Sequence, residues 1–127
     1  VVYKKLTIKP VSGANVTVRA VDPCNGVFTV IEGGSTIQNL NIVGSTDSYG
    51  ILGYANALKL TGNTVSFNNY GIILYNSTGS TVSGNTVMDN WYGNIISNSP
   101  GNTVSGNNVK SNWYGIYTCQ ANNTEIS

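Results

Sequence analysis

Apolar and polar residues alternate over short stretches of this chain, as in Thr-Val-Ser at 81–83 and Thr-Val-Met at 86–88, and Gly or Asn interrupts the pattern every five to seven residues. A period of two broken by frequent turn residues predicts strands joined by tight bends. No segment sustains the period of about 3.6 residues that marks an amphipathic helix. The Asn, Gly, Ser and Thr that fill the polar positions are also poor helix-interior residues.

The strand pattern itself recurs. Tyr-Gly stands at 49–50, 70–71, 92–93 and 114–115, in steps of 21, 22 and 22 residues. Leu60, Val82, Val104 and Ile126 form one apolar column, and Val65, Val87 and Val109 another, with Ile37 and Ile42 their counterparts one repeat earlier. Asn63, Asn85 and Asn107 make a third column, and Asn68, Asn90 and Asn112 a fourth. A unit of this length suits one coil of a parallel β-solenoid, whose columns run along the long axis with members about 4.8 Å apart. The Val and Ile columns then stack into an interior, while the Asn columns form ladders at bends, each carboxamide donating and accepting along its row. Left-handed backbone at the bends is expected of these Asn residues and of Gly71, Gly93 and Gly115.

Before residue 35 the period weakens. Leu6 to Ile8 and Asn15 to Ala20 read as short strands around a Pro-Val-Ser-Gly turn, and VFTVIEGGSTI supplies another before a Gly-Gly bend. The expectation is one continuous domain, with irregular N-terminal coils over 1–34 and regular repeats over 35–127. In the early repeats Leu40 takes the ladder position of Asn63, and Asp47 that of Asn68.

The pattern V-S-G-N-x-V-x-x-N-x-Y-G-I resembles the repeats of right-handed parallel β-helix proteins in the pectate-lyase-like superfamily, over about residues 35 to 127. It is most similar to the repeats of archaeal adhesin-like surface proteins and of the periplasmic copper-binding accessory proteins of nitrous-oxide reductase. The resemblance implies an all-β solenoid of roughly five coils with about 22 residues in each. It implies little about function, because one fold hosts many activities.

Composition narrows the partners. Charged residues are 9% of the chain and the net charge is +1, without the clustered Lys and Arg that nucleic acid or an anionic membrane requires. Hydrophobic residues at 40%, regularly spaced, separate this low-charge chain from disordered ones. No apolar run approaches the roughly 20 residues of a membrane span.

Catalytic chemistry lacks its residues. A lyase of the resembled superfamily calls for clustered carboxylates holding calcium, with Arg or Lys as base. A glycosidase on such a fold needs paired carboxylates. The five acids are Asp22, Glu32, Asp47, Asp89 and Glu125, and in the repeat frame only Asp47 and Asp89 fall near one column, two coils apart. There is no histidine, so the commonest general base and transition-metal ligand is missing. Copper handling, which the resemblance implies, leans on His or Met, and Met88 is the single residue of either kind. Serine nucleophiles have no base partner, and no Gly-Lys-Ser/Thr phosphate loop occurs. The expectation is no enzyme, no catalytic residue, no cofactor and no metal site.

Three features remain. Tyr70, Trp91, Tyr92, Trp113 and Tyr114 form a strip that either stacks sugar rings or stabilises successive coils by stacking on itself. Asn15, Asn76 and Asn122 head Asn-x-Ser/Thr sequons, acceptors for glycosylation in a secreted protein. Cys24 and Cys119 sit near opposite ends of the solenoid, a little over four coils or roughly 20 Å apart, whereas a disulfide needs α-carbons within about 7 Å. With NNTEIS beginning a further coil, the cysteines suggest head-to-tail assembly in which Cys119 of one molecule forms an intermolecular disulfide with Cys24 of the next, the alternative being two buried or free thiols. The expected function is therefore a structural extracellular or cell-surface solenoid that self-assembles. The alternative is a glycan-binding module using the aromatic strip, and a polysaccharide-degrading enzyme comes third.

Overall fold

The computed structural model describes all 127 residues and contains sixteen β-strands and no helix. The first coil carries β1 (Thr7–Ile8), β2 (Thr17–Arg19) and β3 (Phe28–Val30), and the second β4 (Thr36–Gln38), β5 (Asn41–Val43) and β6 (Tyr49–Gly53). The third holds β7 (Lys59–Thr61), β8 (Thr64–Ser66) and β9 (Tyr70–Tyr75), and the fourth β10 (Thr81–Ser83), β11 (Thr86–Met88) and β12 (Tyr92–Ser97). The fifth holds β13 (Thr103–Ser105), β14 (Asn108–Lys110) and β15 (Tyr114–Cys119), and β16 (Glu125–Ile126) opens a sixth turn. Each coil gives one strand to each of three sheets, ordered β1-β4-β7-β10-β13-β16, β2-β5-β8-β11-β14 and β3-β6-β9-β12-β15. Every pairing is parallel, as a solenoid of about five coils requires.

The apolar columns fall as the repeat predicts. Leu60 pairs with Val82, Val82 with Val104 and Val104 with Ile126, while Ile42, Val65, Val87 and Val109 align in the second sheet. The third sheet adds Ile51, Ile72, Leu74 and Ile96 to a core in which most side chains are fully buried. The N-terminal coil is continuous with the rest but longer, Ile8 pairing with Ile37, and a bridge from Val2 to Val30 extends the third sheet one strand further back.

The corners correct two expectations. Positive φ occurs not at the ladder asparagines but at the residue before each: Gly62, Gly84 and Gly106 before Asn63, Asn85 and Asn107, and Phe67, Asp89 and Ser111 before Asn68, Asn90 and Asn112. That residue swings the chain round so that the next one points inward. Gly71, Gly93 and Gly115 are not left-handed at all. At Gly71 a Cβ would lie 2.6 Å from the Gly93 carbonyl oxygen and 2.7 Å from Val87 Cγ1, so close approach of neighbouring coils is what excludes a side chain there.

A third correction concerns Asp47. The residue in the ladder below Asn68 is Ser45, whose backbone N–H donates to Asn68 Oδ1 at 3.1 Å. Three residues separate Ser45 from Tyr49 where one separates Asn68 from Tyr70, so the second coil's corner is longer and the Tyr-Gly alignment misplaces what precedes it. Leu40 does take the expected place, its N–H donating to Asn63 Oδ1 at 3.1 Å.

One interior position breaks the apolar rule. Asn94 is 2% exposed in the column of Ile51, Ile72 and Ile116, and neither its Oδ1 nor its Nδ2 has a partner. An unpaired buried amide costs about 1–3 kcal/mol. Asn94→Ile removes that cost and adds apolar burial, so it is expected to stabilise the chain by about 2–4 kcal/mol. A melting temperature several degrees above the parent's is the expected reading, and one equal or lower would show that the amide is satisfied.

Candidate functional site

Every Asn of the two predicted ladders is placed where its column requires. Asn63 Nδ2 donates to Asn85 Oδ1 at 3.1 Å and Asn85 Nδ2 to Asn107 Oδ1 at 2.9 Å. Asn68 Nδ2 donates to Asn90 Oδ1 at 3.2 Å and Asn90 Nδ2 to Asn112 Oδ1 at 3.1 Å. Each carboxamide also donates to a carbonyl of the coil before, as Asn85 does to Leu60 at 2.8 Å. These side chains replace the backbone bonds that a corner cannot make.

A third ladder at the remaining corner escapes the sequence reading. Leu58 N–H donates to Ser80 Oγ at 3.0 Å, Ser80 N–H to Asn102 Oδ1 at 2.7 Å, and Ser77 N–H to Ser99 Oγ at 3.0 Å. Along the Leu58, Ser80 and Asn102 row the residue type changes from coil to coil, and in the neighbouring row only Ser77 and Ser99 repeat, so no sustained letter advertises it.

The aromatic strip is real and self-stacked. The Trp91 and Trp113 rings lie 4.9 Å apart and 1° from parallel, and Tyr70, Tyr92 and Tyr114 stack at 5.1 and 4.7 Å. A further pair missed in the sequence, Tyr54 and Tyr75, stacks at 5.7 Å. Sugar stacking needs an open ring face, and in these columns the faces meet one another while edges meet solvent. Tyr49 keeps its expected column, in register with Tyr70, and its hydroxyl lies 2.8 Å from Thr29 Oγ1.

Cys24 and Cys119 are both exposed and unbonded. Cys119 ends β15 in the column of Ser97 and Tyr75, whereas Cys24 precedes β3 at the corner where the later coils carry Trp91 and Trp113. Cys24 has acidic company: its N–H donates to Asp22 Oδ1 at 2.9 Å and its thiol lies 3.8 Å from Asp47 Oδ2. The carboxylate that shares a neighbour with Asp47 is thus Asp22 rather than Asp89, which sits at a corner beside Phe67. Asp22 first, with Asp47 behind it, pushes the Cys24 thiol above its ordinary range, because two negative charges oppose a third. Thiolate is the reactive form. Asp22→Asn with Asp47→Asn is therefore expected to speed alkylation of Cys24 by iodoacetamide several-fold near pH 8, measured by mass spectrometry, and an unchanged rate would refute the electrostatic coupling.

The sequons lie on the surface, with Asn15, Asn76 and Asn122 exposed. Asn76 Nδ2 donates to the Tyr54 hydroxyl at 3.1 Å.

A copper centre can be tested against the donors present. Cu(I) takes soft thiolate and thioether ligands and Cu(II) favours imidazole. The chain has no His. Met88 lies on β11 in register with Ser66 and Lys110, and the two cysteines are on the first and fifth coils. No three His, Cys, Asp or Glu side chains group together as metal ligands. These residues do not fit a copper site.

No curated protein and no solved structure matches the chain. One family does, over residues 9–127, and the three-sheet parallel solenoid agrees with it: the chain belongs to the family described as periplasmic copper-binding protein (NosD).

Proposed function

We propose that this chain is a non-catalytic structural β-solenoid that works outside the cytoplasm and associates with itself end to end. The periplasmic description of its family supports the location. The observation that carries the self-association is the way the coils join: parallel pairing in all three sheets, Asn ladders at the corners and stacked tyrosine rings repeat at each step, so a coil of the same cross-section from a second copy meets the same complementary chemistry.

In a stack that keeps register, β16 of one copy meets β1 of the next, and β15 meets Val2. Cys119 and Cys24 then lie at opposite ends of a third-sheet strand, about 17 Å apart and beyond disulfide reach. This stack is non-covalent. Sedimentation over a concentration series, with electron microscopy, tests it: the parent chain forms linear multimers and Ile126→Asp does not. A parent that stays monomeric at every concentration sinks the proposal.

The glycan-binding alternative keeps one observation, the 69% exposure of Trp113 at the end of its stack. Binding on a glycan array that disappears in Trp113→Ala, with the fold intact, would favour it over the structural reading.

A further inference from the structure

The three outer faces of the solenoid differ in chemistry. Outward positions of the first sheet are Thr36 and Gln38, Lys59 and Thr61, Thr81 and Ser83, then Thr103 and Ser105. The second sheet shows Asn, Thr, Ser, Met, Lys and Arg, with Val43 as its one aliphatic outward residue. The third sheet has the longest strands and carries none of the chain's six basic or five acidic residues. Its outward column runs Thr29, Leu52, Ile73, Ile95 and Tyr117 in register, all at least partly exposed. The Tyr70–Tyr92–Tyr114 stack flanks that column on one side and the Tyr54–Tyr75 stack on the other.

We propose that this face, centred on Leu52, Ile73, Ile95 and Tyr117, pairs with the same face of a second copy, so that two solenoids lie side by side, sheet against sheet. Four observations favour a second copy over other occupants. The face is uncharged, so two copies bring no like charges together. It is flat and repeats at the strand spacing, so it is complementary to itself, as an isologous interface must be. Its ring faces are occupied by one another, which leaves a sugar little to stack on.

The fourth is area. Four strands of five to six residues span about 17–20 Å along their length, and together with the three-residue β3 they extend about 24 Å across. With the flanking rings, pairing removes roughly 1,000–1,200 Å² from water, at the lower bound for a specific interface. Two packed sheets keep about 10 Å between them with strands aligned to within about 30°. The pairing is lateral and independent of the end-to-end contact.

Analytical ultracentrifugation of the full chain from low micromolar to near-millimolar concentration tests it. With end-to-end stacking blocked by Ile126→Asp, the chain is expected to form a dimer with a micromolar-range dissociation constant. Ile73→Lys with Ile95→Lys weakens it at least tenfold, whereas Thr81→Lys with Thr103→Lys, an equal charge change on the first sheet, leaves it intact. Circular dichroism melts show whether each variant folds, and the single Tyr75→Lys serves if the double variant does not. Ile126→Asp, which blocks the coil edge, leaves the lateral dimer in place and so separates this contact from end-to-end stacking. The proposal fails if the Ile126→Asp chain is monomeric throughout, if the lysine pair on the third sheet dimerises as that chain does, or if the face captures a glycan while the chain stays monomeric.

Discussion

Gly71→Ala is expected to destabilise the chain by roughly 3 kcal/mol or more, above the usual cost of one added methyl in a packed interior. The added carbon would fall 2.6 Å from the Gly93 carbonyl oxygen and 2.7 Å from Val87 Cγ1. The first of these atoms is backbone on the next coil, so no rotamer change relieves the contact. Relief requires the third and fourth coils to part by several tenths of an ångström at β9 and β12. Parting them stretches a ladder in which Tyr70 pairs with Tyr92 and Ile72 with Asn94. Gly115→Ala supplies the control. It occupies the same column on the last strand of the third sheet, has nothing within 4 Å of the added atom and has no left-handed backbone to lose, so it should change stability by less than about 0.5 kcal/mol. Urea denaturation of the three proteins decides the matter. Equal midpoints for the two alanine variants would show that close coil approach is not what selects glycine.

The contrast between these glycines shows what the sequence could and could not reveal. A step of 22 residues was enough to place the valine columns and both Asn ladders, because a stacked coil puts the same chemistry at the same angle each time. It was not enough to say why glycine follows each tyrosine. Left-handed geometry and close packing both exclude a side chain, and only neighbouring atoms distinguish them. Ser80 and Asn102 stayed hidden because a hydroxyl and a carboxamide can fill one ladder position, so function is conserved along the column while the letter changes. Asp22 and Cys24 met Asp47 unannounced because the first coil and the second coil's corner are longer than the repeat, and a fixed frame misaligns whatever lies in them. The aromatic strip was legible as a column, but whether its rings faced solvent or one another depended on their planes.

Asn85→Ala should reach furthest through the molecule. Asn85 is 1% exposed and its side chain closes four bonds: Oδ1 accepts from Asn63 N–H at 2.9 Å and from Asn63 Nδ2 at 3.1 Å, while Nδ2 donates to the Leu60 carbonyl at 2.8 Å and to Asn107 Oδ1 at 2.9 Å. Truncation leaves the Asn63 backbone N–H and one Asn63 amide hydrogen without partners at a buried corner. At about 1–3 kcal/mol for each group, less what an entering water restores, the loss is about 3 kcal/mol. Asn107→Ala removes the same side chain one coil later, where it is partly exposed and water can replace it, so about 1–2 kcal/mol is expected. Because a solenoid is stabilised by nearest-neighbour interfaces, damage at Asn85 weakens both the contact of the fourth coil with the third and its contact with the fifth. Urea unfolding of Asn85→Ala should therefore broaden or split, with β13 to β16 losing amide-exchange protection before β4 to β6. Asn107→Ala should keep a single sharp transition. Equal losses in the two variants, or uniform loss of protection in the first, would mean that the ladder is not what joins the coils.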